Sequence, residues 1–291
     1  MARRLRTWLR RLKTRSKRRA ATSSTEFKDH LGHGPAIRAA LARGELPPLA
    51  SLAGLGAERY SDEVFARVHA RIVELVRPGS VAEPLRKLAP LVVDGAAVDA
   101  RFGVDSATLR ALLMFALVEA QLARFDGLSV VEIGGGIGSF TAAVLTLSEP
   151  ESYAIYDLPD MLGVQRAYLS KVLPLEKLER VRFCNAYELT PAAPFDLVYS
   201  TYAFSELAKR VAERYFDHVV RHARMGFMTY NHLGTRFGID NLSAVDFCLR
   251  LLASDPAIET IEVRPDEHYR LGGGGDDSCC NLLWRRAPLP A

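Results

Sequence analysis

Apolar positions change their spacing along this chain, and each change marks a different kind of element. Leu5, Trp8, Leu9 and Leu12 fall at i, i+3, i+4 and i+7, which as a helix makes one narrow apolar stripe flanked by cations. From Glu26 to Phe102 the pattern is mostly helical and interrupted. A short helix is predicted over 35–41. Ser61 caps a stronger one, with Asp62 and Glu63 in its first turn and Val64, Val68, Ile72 and Leu75 spaced for one face. Pro78-Gly79 stops it, and Pro84, Pro90 and the Asp94-Gly95 turn keep the next pieces short. A long helix then runs from Asp105 to about Phe125, rich in Leu and Ala over more than one face and therefore buried.

Beyond it, short β-branched runs alternate with helical periodicity. Strands are predicted over 130–133, 152–156, 181–184, 195–200 and 226–230, and helices over 139–147, 159–172, 205–224 and 241–252. Such βα alternation means a parallel sheet with helices on both faces, a doubly wound α/β architecture. The ending breaks that rhythm. Segments 258–263 and 280–284 read as strands with only the Gly-rich loop 272–275 between them, too short for a crossover helix, so they must pair antiparallel.

The first strand leads into Glu132-Ile133-Gly134-Gly135-Gly136-Ile137-Gly138-Ser139. Four glycines in five residues let the backbone turn sharply and approach a ligand closely, and the next helix points its free N–H groups at the turn. The dinucleotide fingerprint G-x-G-x-x-G/A, laid on Gly134 and Gly136, puts its third position on Ser139. Acid-x-Gly-x-Gly-x-Gly fits without a gap through Glu132, Gly134, Gly136 and Gly138, and resembles motif I of the class I S-adenosylmethionine (SAM) methyltransferases. Their fold has an antiparallel last strand, in keeping with the C-terminal pair of this chain.

Asp157 lies nineteen residues after Gly138, at the end of the second strand, where an acid can accept both ribose hydroxyls of a nucleoside. The stretch Asp157-Leu158-Pro159-Asp160-Met161-Leu162, with Gln165, Tyr168 and Leu169, resembles the D-L-P-x-x-L-x-x-Q-x-x-Y-L signature of the bacterial putative sugar O-methyltransferase family. The likeness continues through Phe195-Asp196-Leu197-Val198 and Tyr202-Ala203-Phe204-Ser205-Glu206-Leu207 and covers roughly 102–284. With the pattern before it, this divides the chain into three segments: a basic tail (1–25), a helical N-terminal region (26–102), read as a substrate-side cap or a subunit contact, and a SAM-binding domain (103–291), the last implied by the resemblance. It also implies roles. Gly134, Gly136 and Gly138 would face the methionine part of SAM, Glu132 would orient the loop and its ammonium contact, and Asp157 would hold the ribose. Leu158 would wall the adenine. Asn185-Ala186 stands where many relatives have Asp-Ala at the adenine amino group, and Ser200 would lie beside the sulfonium.

The acceptor is read from the residues that end and succeed the fourth strand. Ser200-Thr201-Tyr202-Ala203 is not the [ND]-P-P-[YF] of amide and nucleobase N-methylation, and no Cys stands there for C5-pyrimidine chemistry. A hydroxyl oxygen is the remaining common acceptor: of a sugar or glycoconjugate, or of another small metabolite. A catalytically silent SAM-binding scaffold is the reading from a different class. A hydroxyl is a weak nucleophile, and a positioned base contributes ~10²–10⁴-fold. His232 and Glu206 are candidate bases at the sheet's C-terminal edge, with Tyr202, Tyr230 and Asn231 as substrate contacts. His218 and His222, at i and i+4, are read as ordinary helix residues because no third ligand has suitable spacing. Asp276 and Asp277 are read as a solvated loop. No metal site is expected.

Composition changes the picture at one end only. The chain has 291 residues and a formal charge of +4; its first twenty residues supply ten Lys/Arg and no acid, leaving −6 for the remainder. The basic balance thus belongs to the tail, and nucleic acid is not an expected partner. Three readings fit 1–21: a solvated tail, a helix on an anionic membrane surface, or a cleavable presequence trailed by Thr22-Ser23-Ser24-Thr25. Cys184, Cys248, Cys279 and Cys280 lack metal-like spacing and read as reduced thiols of a cytoplasmic protein, peripheral to the inner face of the membrane where the tail anchors. A homo-oligomer is compatible with all of this.

Overall fold

The computed structural model describes residues 34–45, 60–76, 82–92, 98–190, 192–231, 240–272 and 279–287. Its helices are α1 (Gly34–Ala42), α2 (Asp62–Leu75), α3 (Ala82–Leu88), α4 (Ser106–Gln121), α5 (Ser139–Leu147), α6 (Pro159–Val172), α7 (Leu175–Leu178), α8 (Ala203–Glu206), α9 (Lys209–His218), α10 (Ala244–Ser254) and α11 (Glu267–Leu271). Its strands are β1 (Ser129–Ile133), β2 (Ser152–Asp157), β3 (Val181–Asn185), β4 (Phe195–Thr201), β5 (Ala223–Tyr230), β6 (Ile258–Pro265) and β7 (Cys280–Arg286).

The strands form one sheet in the order β3-β2-β1-β4-β5-β7-β6. The first five pair parallel, while β7 lies antiparallel between β5 and β6. This is the doubly wound sheet with an antiparallel last strand that the glycine-loop resemblance implies. The order reverses between β1 and β4, and ligands of open α/β sheets bind in the crevice outside the strand ends at such a switch point.

The period of two along each strand divides the core. Val130, Tyr153, Ile155, Leu197, Tyr199 and Phe227 face one layer, built mainly from α4 and α5; Val131, Ile133, Tyr156, Val198 and Met228 face the other, with α9 and α10. The N-terminal helices join the first layer. Phe65, Val68 and Ile72 of α2 and Leu85 and Leu88 of α3 are buried in the same cluster as α4. Truncating one such fully buried residue, Ile72 for instance, to Ala costs ~2–5 kcal/mol. Ile37 of α1 packs on Met161 and Val164 of α6 and on Ile137 of the glycine loop.

Local signals act where the spacing places them. Ser61 Oγ accepts from Val64 N at 3.3 Å, and Asp105 Oδ1 accepts from Thr108 N at 2.8 Å, N-caps worth ~1 kcal/mol each. Three expectations are corrected. The single helix over 205–224 is two, α8 and α9, because Leu207 is extended and Ala208 bridges to Asn241, while β5 already begins at Ala223. His218 therefore ends α9 and His222 lies in a separate 3-10 turn, so the two do not share a helix face. The link from β6 to β7 also holds a helix, α11, capped by Asp266.

Candidate active site

β1 delivers the chain to the switch point, and the glycines turn it. Gly134, Gly136 and Gly138 have φ of 76°, 55° and 96°, the left-handed region that L side chains rarely adopt. Gly134 N donates to Tyr156 O at 2.9 Å and Gly138 N to Gly135 O at 2.8 Å. A Cβ on Gly134 would stand 2.1 Å from Ala203 Cβ, so α8, just after β4, lies directly on the loop. Gly138 is the N-cap of α5 and has no side chain with which to cap it. The first-turn N–H groups of α5 thus present partial positive charge to the loop.

Both sequence-predicted acids are at the loop, and both face inward. Glu132 is buried, its Oε2 accepting from Thr141 Oγ1 at 2.6 Å and Tyr153 Oη at 2.8 Å. Burial raises its pKa to about 7 against the pull of those two hydroxyls. Asp157 Oδ1 accepts from Leu158 N at 2.8 Å and its Oδ2 from Gln165 Nε2 at 2.7 Å, with the backbone N–H groups of Gly135 and Gly136 favouring its charged form. Burial outweighs these bonds and lifts its pKa to about 6. Two donors leave part of the carboxylate's roughly four lone-pair sites for a ribose, while Asp157 also braces the loop. Gln165 completes that brace by donating to Gly136 O at 3.0 Å.

The remaining cofactor candidates line the same edge. Leu158 is half-buried at the head of α6, and Ala186 is buried after β3. Asn185 caps the turn behind it, accepting from Tyr187 N at 3.0 Å and donating to Glu188 Oε1 at 2.9 Å, so its amide is engaged within its own loop. Ser200 Oγ donates to Ile133 O at 2.8 Å and accepts from Phe204 N at 3.2 Å, tying β4 to β1.

A cluster that sequence reading saw only in part stands beside them. Tyr202, next after β4, has φ 65° and ψ −37°, the one positive φ outside glycine among the described residues. Such a conformation costs of order 1–3 kcal/mol and persists only where its surroundings impose it. Its phenol donates to Asp266 Oδ2 at 2.6 Å and meets His268 Nδ1 at 2.9 Å. His268 Nε2 lies 2.5 Å from Tyr60 Oη. Asp266 and His268 have no motif around them and stand in a short Asp-Glu-His run between two strands.

Of the acceptor-side candidates, Glu206 and Asn231 come together, Asn231 Nδ2 donating to Glu206 Oε1 at 2.9 Å, with Asn231 N on Ser205 Oγ at 3.2 Å. Tyr230 sits in the core against Phe204 and Phe247, and its buried hydroxyl has no hydrogen-bond partner among the described residues. His232, Asp276, Asp277 and the tail lie outside the described residues. Among the described residues there is no cluster of His, Cys, Asp and Glu able to hold a metal, and no helix long and apolar enough to cross a membrane.

No family model matches the sequence, and no curated protein matches it. Solved structures do. The chain is 15% identical to magnesium protoporphyrin IX methyltransferase (ChlM) from Synechocystis PCC 6803 with bound SAH, over 69% of this chain and 94% of that one, with a TM-score of 0.46. It is 14% identical to the glycopeptide N-methyltransferase MtfA complexed with sinefungin, over 73% and 99%, TM-score 0.44. It is 16% identical to the pyocyanin biosynthetic protein PhzM, over 84% and 73%, TM-score 0.42. Likenesses this distant carry no argument about cofactor or acceptor, and the fold stands on its own strand order.

The loop suits a ligand with both carboxylate and donor groups. The helix terminus offers N–H groups to an anion. Gln165 Oε1, buried at the loop's edge without a partner among the described residues, offers an acceptor to a ligand hydroxyl or ammonium. Leu158 and Ala186 supply apolar surface at the same sheet edge, and Tyr202 with its buried polar partners follows β4 there.

Proposed function

We propose that this protein is a SAM-dependent O-methyltransferase acting on a hydroxyl of a sugar or glycoconjugate. The observation that carries the cofactor reading is the loop itself: three left-handed glycines and an uncapped helix N-terminus beside Asp157 at the switch point. SAM, when bound, supplies a methyl group on an electron-poor sulfonium. Gly134, Gly136 and Gly138 keep the crevice open to its methionine part, and Glu132 holds the loop to α5 and β2 through Thr141 and Tyr153. Asp157, sharing its lone pairs with the ribose, and Leu158, Asn185 and Ala186, around the adenine, hold the nucleoside. Ser200 fixes the end of β4 beside the sulfur.

The sugar reading rests on the resemblance of 157–169 to the sugar O-methyltransferase signature, two of whose residues tie the fold together here. Gln165 bridges Asp157 to the glycine loop, and Tyr168 Oη donates to Leu91 O at 3.0 Å, joining α6 to the N-terminal region. The acceptor's proton needs a receiver. Of the sequence candidates, Glu206 already accepts from Asn231, and His232, outside the described residues, is to be tested by substitution.

The test has two arms. S-adenosylhomocysteine at a hundredfold excess over its Kd should stabilise the protein by ~2.7 kcal/mol, and NAD should leave its melting temperature unchanged. Pooled nucleotide sugars and glycolipids incubated with methyl-labelled SAM should then gain one labelled methyl group by mass spectrometry. A melting shift with NAD alone refutes the cofactor; label in non-sugar hydroxyl compounds alone moves the acceptor to another small metabolite.

A further inference from the structure

With Asp266 ionised, the contacts around Tyr202 fix one order of protons. Tyr202 Oη gives its proton to Asp266 Oδ2 at 2.6 Å, so toward His268 Nδ1, 2.9 Å away, it can only accept. His268 Nδ1 therefore carries the ring proton. Burial and Arg110 push the ring's pKa down to about 3, so Nε2 is bare and Tyr60 Oη must donate to it across 2.5 Å. The donations run one way: Tyr60 to His268, His268 to Tyr202, Tyr202 to Asp266.

The backbone that carries Tyr202 runs on to the glycine loop. Tyr202 immediately precedes Ala203, which touches Gly134. A phenol oxygen has two lone pairs; His268 takes one, and the other is left for an acceptor hydroxyl. Asp266 is almost completely buried. Burial raises its pKa, opposed by Tyr202, the backbone N–H groups of Tyr269 and His268, and Arg110 on α4. A carboxylate whose pKa is raised by burial is a better receiver of protons than an exposed one.

We propose that Tyr202 and Asp266 together receive the proton of the acceptor hydroxyl, with His268 and Tyr60 holding the phenol in place. This rests on the methyl-transfer reading. As the acceptor oxygen bonds to the methyl carbon, the carbon–sulfur bond breaks and its electron pair stays on sulfur. The hydroxyl proton passes to Tyr202 Oη while Tyr202's own passes to Asp266 Oδ2, from which it leaves to solvent after product release. Tyr60 and His268 are positioning residues.

The N-terminal region is then part of the site. Tyr60 N donates to Ser106 Oγ at 2.9 Å, and Arg71 of α2 grips Glu267 of α11 through Nε–Oε2 at 2.5 Å and Nη2–Oε1 at 3.1 Å. These bonds hold the segment bearing Tyr60 against the segment bearing Asp266 and His268.

Full-length protein with methyl-labelled SAM and the pooled nucleotide sugars and glycolipids tests this. Tyr202→Phe and Asp266→Asn should each slow label transfer by ~10²-fold or more, while the Kd for S-adenosylhomocysteine and the melting temperature stay near wild type. Tyr60→Phe should lower kcat by less and leave KM unchanged, a split that a loss of packing would not produce. Asp266 also caps α11; a variant there that binds no S-adenosylhomocysteine has lost its fold, and Tyr202→Phe, which deletes one oxygen, then decides alone. Wild-type turnover in Tyr202→Phe overturns the proposal and leaves methyl transfer standing. Wild-type protein that binds S-adenosylhomocysteine but labels nothing overturns the methyl-transfer reading and this proposal with it.

Discussion

Glu132 is the acid that distinguishes this glycine loop from a dinucleotide one, and it is held inside the protein. Folding raises its pKa from 4.5 to about 7, with burial the largest cause and the nearby Asp157 carboxylate adding to it. A carboxyl whose pKa is raised by folding binds its proton more tightly in the native state. Its effect is absent below pH 4.5 and becomes a growing penalty as pH climbs to about 7, reaching on the order of 3 kcal/mol. Glu132→Gln carries no such charge and keeps an oxygen for Thr141 and Tyr153. The stability of Glu132→Gln relative to wild type should therefore rise between pH 5 and 7.5, measured by urea denaturation in the absence of cofactor. A difference that falls over that range would mean the carboxylate is ionised and stabilised there. The spacing of acid and glycines was legible in the sequence. That the acid points at Thr141 and Tyr153 was not, because those partners come from α5 and β2 and no local spacing joins them.

At the scale of elements, the strands were legible because β-branched runs and period-two burial are written locally, and the antiparallel pairing of β6 and β7 came from the absence of a crossover helix between them. What escaped was short. α11 spans five residues, too few for a helical period, yet it carries His268 and begins directly after Asp266. The break between α8 and α9 was hidden because the bridge from Ala208 to Asn241 and the bond from Lys209 N to Asp240 O, 2.7 Å, join distant parts of the chain. The contact of α8 with the loop makes its own prediction. Gly134→Ala would combine a left-handed φ, costing roughly 1–2 kcal/mol, with a Cβ 2.1 Å from Ala203 Cβ. Gly103→Ala has a similar φ of 69° and nothing within 4 Å of its Cβ. Thermal melts should show Gly134→Ala losing clearly more than Gly103→Ala, and calorimetry should show S-adenosylhomocysteine binding lost only in the former. Equal losses would mean that α8 does not rest on the loop.

For the whole molecule, the separation of charge sets the expectation. Ten cations in the first twenty residues face a remainder of net −6, so the tail and the body would respond oppositely to an anionic surface. We propose that 1–21 binds such a surface as a helix, with Trp8 and the leucines at 5, 9 and 12 entering the interface. Each Lys or Arg near the surface contributes ~1 kcal/mol. Because that term is electrostatic, binding to phosphatidylserine vesicles should weaken steeply as the Debye length shrinks from ~10 Å at 0.1 M salt to ~3 Å at 1 M. Trp8→Ala should weaken it further while leaving the salt trend in place, since it removes apolar area and no charge. Deleting 1–21 should abolish vesicle binding and leave the affinity for S-adenosylhomocysteine unchanged, because every residue assigned to that ligand lies at the sheet edge from Glu132 onward. On a glycolipid in vesicles the truncated protein should turn over more slowly than the full chain, and on a soluble nucleotide sugar at the same rate. Equal rates on both acceptors would refute the anchor.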